Sequence, residues 1–247
     1  MRSADHVFEA EGEKHKMGHT TKKLLLIGAS KGLGLAIAAE YLKRGWHVVA
    51  TELTYSTALH KLSETSEGKL AVESVDVTSP NQVSALRSRL EGERFDLLFH
   101  NAGVTNSEHE TVAEVSTLEF VRIMVTNTLS PMRVLETFQD LAAEDGTLGV
   151  MSSGQGSVSN NEKGGWEVYR ASKAALNSLI RSFRARHAGD PRTMLLMAPG
   201  WVRTDMGGPN AKLSIDESIP KLVAVMEAHA GRGGLHYLDY QGNVVPW

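Results

Sequence analysis

The sequence predicts an α/β protein with a doubly wound, mostly parallel sheet of seven strands and helices on both faces. Short apolar runs alternate with segments of helical periodicity, and this alternation is typical of parallel strands joined by crossover helices. The first run, Leu24-Leu25-Leu26-Ile27, is apolar throughout, as expected of a strand buried on both faces. Neither a linker nor an internal repeat interrupts residues 23–247, so we expect one domain there.

Each further strand is predicted from a similar apolar run. These runs cover residues 47–50, 70–75, 95–99, 147–151, 194–197 and 235–238. Helices are predicted around residues 35–42, 57–63, 80–90, 118–143, 166–186 and 215–229. Gly45 stops the first helix, Pro80 suits an early helical position, and Pro131 predicts a kink or a break in the long fourth helix.

The composition excludes several classes of function. The chain of 247 residues is 41% hydrophobic with a formal net charge of −3, so it has no basic excess for nucleic acid. No apolar run approaches the roughly 20 residues that span a bilayer, and no membrane partner is expected. The absence of cysteine excludes disulfides, thiolate catalysis and thiolate-ligated metal, and we expect a reducing, cytoplasmic location.

Residues 1–22 are predicted to form a flexible extension rather than a signal peptide, because charged residues break up their few apolar positions. His6, His15 and His19 could bind a metal there, but we prefer the solvated extension. Met17 is an alternative start of the chain.

A glycine-rich loop follows the first strand and opens the first helix. Its spacing, Gly28-x-x-x-Gly32-x-Gly34, differs from the G-x-G-x-x-G of most dinucleotide-binding domains. Glycine lets the backbone approach a ligand closely, and the N–H groups at a helix N-terminus attract a pyrophosphate. The loop therefore predicts a dinucleotide site, although a plain turn would explain it alone. The residues assigned to this site are Gly28, Ser30, Lys31, Gly32, Leu33 and Gly34.

Two charged residues bear on which dinucleotide would bind. Glu52 ends the second strand, 18 residues after Gly34, near the expected position of an acidic residue that bonds ribose hydroxyls. Its carboxylate would repel the 2′-phosphate of NADP, whereas Lys31 could pair with that phosphate. The cofactor is therefore predicted as NAD or NADP, with a lean to NAD from Glu52. Both residues could instead be solvated surface charges.

Further candidates follow the third and fourth strands, where an open α/β sheet binds ligands. Asp76 and Val77 suit the adenine edge of a dinucleotide, although an aspartate in a loop also caps helices. Asn101-Ala102-Gly103 leaves room for a ribose, or forms a simple turn.

Tyr169 and Lys173 are the candidates for proton transfer. They are four residues apart in a predicted helix, so their side chains project from the same face. A phenol exchanges protons poorly at neutral pH, and a nearby ammonium lowers its pKa. Such pairs also occur on ordinary helix surfaces, so this one gains weight only from the other motifs.

Taken together, these motifs resemble the short-chain dehydrogenase/reductase family. The resemblance covers residues 23–247 and implies a single Rossmann-fold domain. It rests on the order of the glycine loop, Asn101-Ala102-Gly103, Asn127, Ser153, Tyr169-x-x-x-Lys173 and Pro199-Gly200. Residues 169–177, 199–206 and 237–242, with the terminal Pro246-Trp247, are similar to the branch that contains C-factor and sniffer-type carbonyl reductases.

The resemblance implies an oxidoreductase that interconverts a small-molecule carbonyl and an alcohol by hydride transfer with NAD or NADP. Tyr169 would be the general acid and base, and Ser153 would bind the substrate oxygen. Lys173 would hold the nicotinamide ribose and lower the pKa of the phenol, while Asn127 would order a water that relays protons. No metal is implied, and a homodimer or homotetramer is expected. The segment after the sixth strand would reach the cofactor through Pro199, Gly200, Val202 and Thr204.

The sequence departs from the family pattern in several places. Ile27 precedes the first glycine where threonine is common, and His100 stands where asparagine is common. Ser153 precedes Tyr169 by 16 residues, a longer spacing than usual. Ser152 competes with Ser153, which we assign because the family uses the second serine of such a pair. Ser172 is expected to pack within its helix.

The sequence does not identify the substrate. Residues 154–166 and 205–213 are candidate pocket walls, and the region 205–215 could form a mobile lid. The candidate lining residues, each of which could equally serve ordinary packing, are Gln155, Trp166, Trp201 and Met206.

Two other functions share these features. A regulatory or signalling protein could bind the dinucleotide with little or no turnover, as the similarity to C-factor allows, but it would be free to lose Tyr169 or Ser153. A nucleotide-sugar epimerase uses the same Tyr/Lys pair. It would have a different glycine spacing and a larger C-terminal domain than the residues after Pro199 provide.

Overall fold

The computed structural model describes residues 21–247. Residues 1–20, with most of the predicted extension and its candidate metal ligands His6, His15 and His19, lie outside the described residues. Among residues 21–247, none of the helices combines the length and the apolar character that crossing a membrane requires.

Seven strands form one sheet, and every neighbouring pair is parallel. The strands are β1 (Lys23–Ile27), β2 (His47–Glu52), β3 (Leu70–Ser74), β4 (Phe95–His100), β5 (Ala142–Met151), β6 (Thr193–Ala198) and β7 (Leu235–Asp239). Their order in the sheet is β3-β2-β1-β4-β5-β6-β7, so the winding direction reverses beside β1. Ligands bind such sheets outside the carboxyl ends of the strands near this reversal. The predicted fold class is confirmed.

Helices cover both faces of the sheet. They are α1 (Gly32–Lys43), α2 (Thr57–Glu64), α3 (Pro80–Arg89), α4 (Thr117–Met124), α5 (Ser130–Phe138), α6 (Glu167–Arg186) and α7 (Ile215–His229). One buried core contains apolar side chains of α3, α5 and α6, and the other contains those of α1, α2 and α7. In β1, Leu25 and Ile27 enter the first core while Leu24 and Leu26 enter the second. A strand that faces two cores has no position for a polar residue, which explains its continuous apolar run.

The helical region predicted over residues 118–143 is interrupted. Val125–Leu129 forms a π-helical turn between α4 and α5, and Gln139–Leu141 forms a 3-10 turn after α5. Pro131 lies in the first turn of α5, immediately after the π-helical turn, so the predicted irregularity is confirmed. The predicted helical end at residue 143 is wrong. Ala142 pairs with Phe95, and this pairing begins β5 before a shift in register.

Apolar side chains on α4 remain exposed to solvent, among them Leu118, Phe120 and Val121. Helix faces of this kind are one place where copies of a chain could associate. The predicted self-association stays a prediction.

Gly149→Ala is expected to lower the free energy of unfolding by about 1–3 kcal/mol, because overpacking a core forces its neighbours to move. The added Cβ would lie 2.5 Å from Cδ2 of Phe99 on the neighbouring strand β4. Urea denaturation followed by circular dichroism measures the change. Gly189→Ala is the matched control, since its added Cβ meets no atom of the described residues within 4 Å. Equal stability of the two variants would contradict this account of the packing.

Candidate active site

The loops after β1 and β4 meet at the carboxyl edge of the sheet. Asn101 Nδ2 donates to the main-chain oxygen of Gly28 at 2.7 Å. Gly28 has a φ of +87°, and a Cβ there would lie 2.7 Å from the Cβ of Ala102. The structure therefore brings the glycine loop against the Asn101-Ala102-Gly103 segment, and this close approach requires glycine at position 28.

Among residues 21–247, serine side chains cap α2, α3, α4 and α7. The N-cap residue of α1 makes no side-chain hydrogen bond to the helix, and the same is true of α5 and α6. The first N–H groups of a helix have no partner within the helix and favour an anion. Gly34 packs so closely that a Cβ there would lie 2.0 Å from the oxygen of Gly28. An uncapped helix start that follows a tight glycine loop fits a pyrophosphate.

The segment after β6 reaches the glycine loop from the opposite side. A Cβ on Gly32 would lie 3.6 Å from Cγ2 of Thr204. Lys31 Nζ and Asp205 Oδ2 form an exposed ion pair at 2.8 Å. At the start of the segment, the main-chain oxygen of Pro199 accepts a hydrogen bond from the hydroxyl of Ser218 on α7 at 2.7 Å. The segment after β6 thus lies beside the start of α1.

Two further residues of this segment shape it. Val202 is buried and pairs with Leu213 in an isolated bridge, while Gly200 has a φ of +82°. Val202 therefore anchors the segment, whereas Thr204 two residues later lies beside the glycine loop.

Glu52 lies at the end of β2 as predicted, but its carboxylate turns toward α2. Its Oε2 accepts from the N–H of Ser56 at 2.8 Å, and its Oε1 contacts His60 Nε2 at 2.9 Å. The residue is 4% exposed. The alternative that it is a solvated surface charge is therefore wrong. Both oxygens are engaged by protein groups, which weakens the expectation that Glu52 binds a ribose.

Asp76 and Val77 follow β3 at the same edge. Asp76 Oδ1 accepts from the N–H of Thr78 at 2.8 Å and from its hydroxyl at 2.7 Å. Val77 is buried in the core beneath. The cap of α3 is Ser79 rather than Asp76. Asp76 thus stabilises a turn, and its predicted contact with an adenine stays a prediction.

Asn127 lies fully buried in the π-helical turn. Its Oδ1 accepts from the N–H of Val104 at 2.8 Å, and its Nδ2 donates to the oxygen of Val104 at 2.7 Å. Nδ2 also lies 3.0 Å from Oγ of Ser172 on α6. Pro131, four residues later, has no N–H to donate to the main-chain carbonyl of Asn127. The π-helical turn therefore ties the β4 loop to α6.

Lys173 is the buried cation of the site. It is 3% exposed, and its Nζ donates to the oxygen of Met151 at the end of β5 at 2.8 Å. Burial lowers the pKa of Lys173 to about 8. A Cβ on Gly103 would lie 3.6 Å from Nζ, so the ammonium faces the small residues after β4.

Tyr169 lies one helical turn before Lys173, whose Nζ is 5.8 Å from the centre of the phenol ring. Burial raises the pKa of Tyr169, a hydrogen bond with the Ser153 hydroxyl lowers it, and Tyr237 raises it further. The pKa is raised overall because burial outweighs the hydrogen bond, and the predicted lowering by Lys173 stays a prediction. The phenol is therefore protonated at neutral pH.

The two adjacent serines have different partners. The Ser152 hydroxyl is buried and donates to Oδ1 of Asn177 at 2.6 Å. Oγ of Ser153 accepts from the N–H of Gln155 at 3.1 Å and interacts with the phenol of Tyr169. These contacts favour Ser153 over Ser152 as the serine beside the phenol. Ser172 packs within α6, where its hydroxyl donates to the oxygen of Tyr169 at 2.7 Å.

The two departures from the family pattern lie in the interior. Ile27 is buried in the core. His100 is 2% exposed, and burial together with the charge of Lys173 lowers its pKa to about 3. Its Nε2 has no hydrogen-bond partner among residues 21–247. His100 is therefore a neutral ring packed near the buried ammonium.

Some of the candidate substrate residues come together. The rings of Trp166 and Trp201 lie 6.3 Å apart, edge to face, and Nε1 of Trp201 donates to the oxygen of Gly207 at 2.8 Å. Met206 is exposed, whereas Gln155 lies at the other end of the candidate wall, next to Ser153. A cavity of about 490 Å³ is lined by residues 108–111, 163–167 and 170. The wall formed by residues 108–111 was not predicted, because it lies well beyond the end of β4 in the connection to α4.

Three buried polar residues near the site were not predicted. Oδ1 of Asn106 accepts from the N–H of Tyr169 at 3.2 Å, and Asn177 and Tyr237 lie behind Ser153. Asn177 is four residues after Lys173, so helical spacing was the signal that could have found it. Asn106 and Tyr237 carry no such local signal.

Known proteins resemble this chain over most of its length. A model of the short chain dehydrogenase family matches residues 22–213. A Burkholderia multivorans protein assigned to the short-chain dehydrogenases/reductases, solved with bound NADP, is 56% identical with a TM-score of 0.90, covering 92% of this chain and 100% of that chain. A carbonyl reductase from Pseudomonas aeruginosa PAO1, solved in complex with NADP, is 33% identical with a TM-score of 0.86 and the same coverage. C-signal from Myxococcus xanthus is 35% identical over 158 residues, which cover 62% of this chain and 92% of that protein. These similarities agree with the predicted family and branch.

Asn127→Ala is expected to lower the free energy of unfolding by about 1–3 kcal/mol, because it removes a fully buried side chain and leaves the partly buried N–H and oxygen of Val104 without these partners. Chemical denaturation measures the loss. Asn160→Ala is the control, since Asn160 is exposed and its side chain makes no hydrogen bond within the described part of the chain, where only its main-chain N–H is bonded, to Ser157. If both variants unfold at the same denaturant concentration, the structural role of Asn127 is refuted.

Proposed function

The chain belongs to the short-chain dehydrogenase family, and from this premise we propose that it interconverts a carbonyl and an alcohol by NAD(P)-dependent hydride transfer with Tyr169 as general acid and base. One observation carries the proposal. Ser153, Tyr169 and Lys173 meet at the sheet edge that also holds the glycine loop and Thr204. A proton donor, a buried cation and an anion-binding helix start thus share one site.

Tyr169 supplies the proton. Its pKa is raised by burial, so the phenol holds its proton at neutral pH and can donate it to a carbonyl oxygen during reduction. In the reverse direction the phenolate takes the proton from an alcohol. The hydroxyl of Ser153, which interacts with the phenol, would hold the substrate oxygen at hydrogen-bond distance from it.

Lys173 supplies a fixed positive charge beside the phenol. Its pKa of about 8 keeps most of the population charged at neutral pH, and its bond to Met151 fixes the position of Nζ. We assign Lys173 to the ribose hydroxyls of the nicotinamide end, and Asn127 to the ordering of a water near Lys173. The small residue Gly103 next to Nζ leaves room for a ribose there.

The N-terminus of α1 would hold the pyrophosphate of the dinucleotide. It has no side-chain cap, so its first N–H groups are available to an anion. Thr204 and the Asn101-Ala102-Gly103 segment border the same loop from two sides. When it is bound, the nicotinamide carries the hydride, and the protein contributes orientation and the proton.

NADP is the preferred dinucleotide in this proposal, against the lean that Glu52 alone suggested. The Glu52 carboxylate is buried and engaged with Ser56 and His60, so it presents no free oxygen to a ribose. Lys31 is exposed in the glycine loop, and its partner within residues 21–247 is the equally exposed Asp205. An exposed ion pair of this kind contributes about 0–1 kcal/mol to stability, so a phosphate could replace Asp205 as the partner of Lys31.

A regulatory protein with little turnover is the second candidate, and the similarity to C-signal favours it. Binding alone would require neither a phenol nor a serine at the carboxyl edge. Here the hydroxyl of Ser153 lies close enough to the phenol of Tyr169 to lower its pKa, and the buried ammonium of Lys173 lies 5.8 Å from the centre of the same ring, which supports catalysis over binding alone.

Tyr169→Phe is expected to reduce turnover about 10²- to 10⁴-fold, the usual contribution of a general acid, while NADPH still binds. A panel of aldehydes, ketones and alcohols followed by the absorbance of the reduced nicotinamide measures turnover, and NADPH fluorescence measures binding. Tyr55→Phe is the control, because Tyr55 is exposed and stacked on His60. Wild-type turnover in Tyr169→Phe would refute the assignment of the acid. Wild-type protein that binds NADPH but reduces none of the panel would favour the regulatory candidate.

Lys31→Ala is expected to raise the KM for NADPH about tenfold and to leave the KM for NADH unchanged, because it removes a charge-assisted bond to the 2′-phosphate. Lys43→Ala is the matched control, since Lys43 is exposed at the opposite end of the same helix. A wild-type enzyme that prefers NADH, or an equal effect of Lys31→Ala on both cofactors, would contradict the proposed preference.

A further inference from the structure

The last strand brings a second buried tyrosine to the candidate active site. Tyr237 on β7 is 2% exposed, and its hydroxyl donates to the main-chain oxygen of Ser153. It belongs to the sequence motif of residues 237–242, to which the proposed mechanism gives no role. The contact joins the last strand to the peptide that carries the serine beside Tyr169.

Two buried polar side chains complete what we call the Tyr237 cluster, formed by Ser152, Asn177 and Tyr237. The Ser152 hydroxyl donates to Oδ1 of Asn177 at 2.6 Å, and Nδ2 of Asn177 donates to the oxygen of Gly156 at 3.1 Å. Burial raises the pKa of Tyr237, and hydrogen bonds with Asn177 and Ser152 partly oppose this rise. The cluster therefore contacts the segment of residues 153–156 at two main-chain oxygens.

The C-terminal tail, residues 244–247, covers the Tyr237 cluster from outside. The N–H of Val245 donates to the oxygen of Tyr237 at 2.9 Å, and the ring of Trp247 lies 5.3 Å from the ring of Tyr237. The main-chain oxygen of Trp247 accepts from the hydroxyl of Ser159 at 2.7 Å. The guanidinium carbon of Arg181 on α6 lies 4.7 Å from the ring centre of Trp247. The tail thus bridges α6, β7 and the segment after Ser153.

We propose that Tyr237 is a positioning residue, which holds the Ser153 peptide so that the serine hydroxyl faces Tyr169, and that the C-terminal tail keeps Tyr237 in place. This inference rests on the proposed function, because it assigns Ser153 to the substrate oxygen. Tyr237 acts through Ser153 and does not itself contact the substrate.

The backbone around Ser153 explains why an external anchor matters. Ser153 is extended, with φ −161° and ψ 146°, and it precedes a short 3-10 turn at Gly154–Gly156. The turn packs tightly on α6 at Gly156, where a Cβ would lie 2.9 Å from the Cβ of Lys173. Within the turn, the N–H of Gly156 donates to the oxygen of Ser153 at 2.8 Å, and this bond is local to the segment. The hydroxyl of Tyr237 adds a second hydrogen bond to the same oxygen, which fixes the Ser153 peptide plane relative to β7.

Tyr237→Phe removes only the hydroxyl that reaches Ser153. It is expected to lower kcat about tenfold without changing the KM for NADPH, because Tyr237 lies behind Ser153 and away from the glycine loop. Tyr41→Phe is the matched control. Tyr41 is also fully buried, its hydroxyl has no partner in the described part of the chain, and it packs on the other face of the sheet. Its kcat is expected to equal that of wild type.

A double-mutant cycle with Ser153→Ala separates positioning from a general structural role. If Tyr237 acts through the serine hydroxyl, Tyr237→Phe causes no further loss of kcat once that hydroxyl is absent. The most reactive carbonyl of the panel keeps the slow variants measurable. A tenfold loss in both backgrounds would overturn the inference, as would a Tyr237→Phe variant with the kcat of wild type.

Trp247→Leu tests the part assigned to the tail, and it carries the test alone if Tyr237→Phe does not fold. We expect a smaller loss of kcat that also disappears in the Ser153→Ala background. An unchanged kcat would overturn the role of the tail. A wild-type protein that reduces no carbonyl would instead overturn the proposed function, so the two failures are distinguishable.

Discussion

The buried ammonium of Lys173 is the constraint on which the candidate active site depends. It is 3% exposed, and the carbonyl of Met151 is its hydrogen-bond acceptor at 2.8 Å. Because a charge out of water is costly unless it is hydrogen-bonded, α6 must lie where Nζ reaches the end of β5. Tyr169, one turn earlier on α6, then comes to the same edge of the sheet. Ser153 follows β5 by two residues and meets the phenol there.

Small residues and one polar turn make room for this ammonium. A Cβ on Gly103 would lie 3.6 Å from Nζ, and one on Gly156 would lie 2.9 Å from the Cβ of Lys173. Near this ammonium, Asn127 in the π-helical turn joins the loop after β4 to Ser172 of α6. The glycine that the sequence assigned to a ribose therefore also serves the cation. The same small residue leaves space for both, because the ribose is expected to bind beside Gly103 and Nζ.

Much of this arrangement could be predicted from the sequence, because parallel strands bring every carboxyl end to one edge whatever the tertiary contacts are. The direction in which a side chain points after the end of a strand could not be predicted from the sequence. Glu52 lies where it was predicted, yet Ser56 and His60 engage its carboxylate, and that pairing depends on where α2 begins. Tyr237 contacts Ser153 across 84 residues of sequence, and nothing in the local pattern of β7 reports such a partner.

The two halves of the candidate site depend on different parts of the chain. The anion-binding half uses main-chain N–H groups of α1. It therefore depends mainly on the close approach of backbone to backbone, as between Gly34 and Gly28. The proton-transfer half uses side chains that fix one another, which makes each of them sensitive to substitution. The exposed pair of Lys31 and Asp205 joins the glycine loop to the segment of residues 201–213, and such a pair is worth only about 0–1 kcal/mol. That segment is closed on itself by hydrogen bonds between Leu213 and the backbones of Trp201 and Arg203. The buried Val202 anchors this segment, whereas its contact with the glycine loop at Asp205 is an exposed ion pair, so the predicted movement of residues 205–215 stays a prediction.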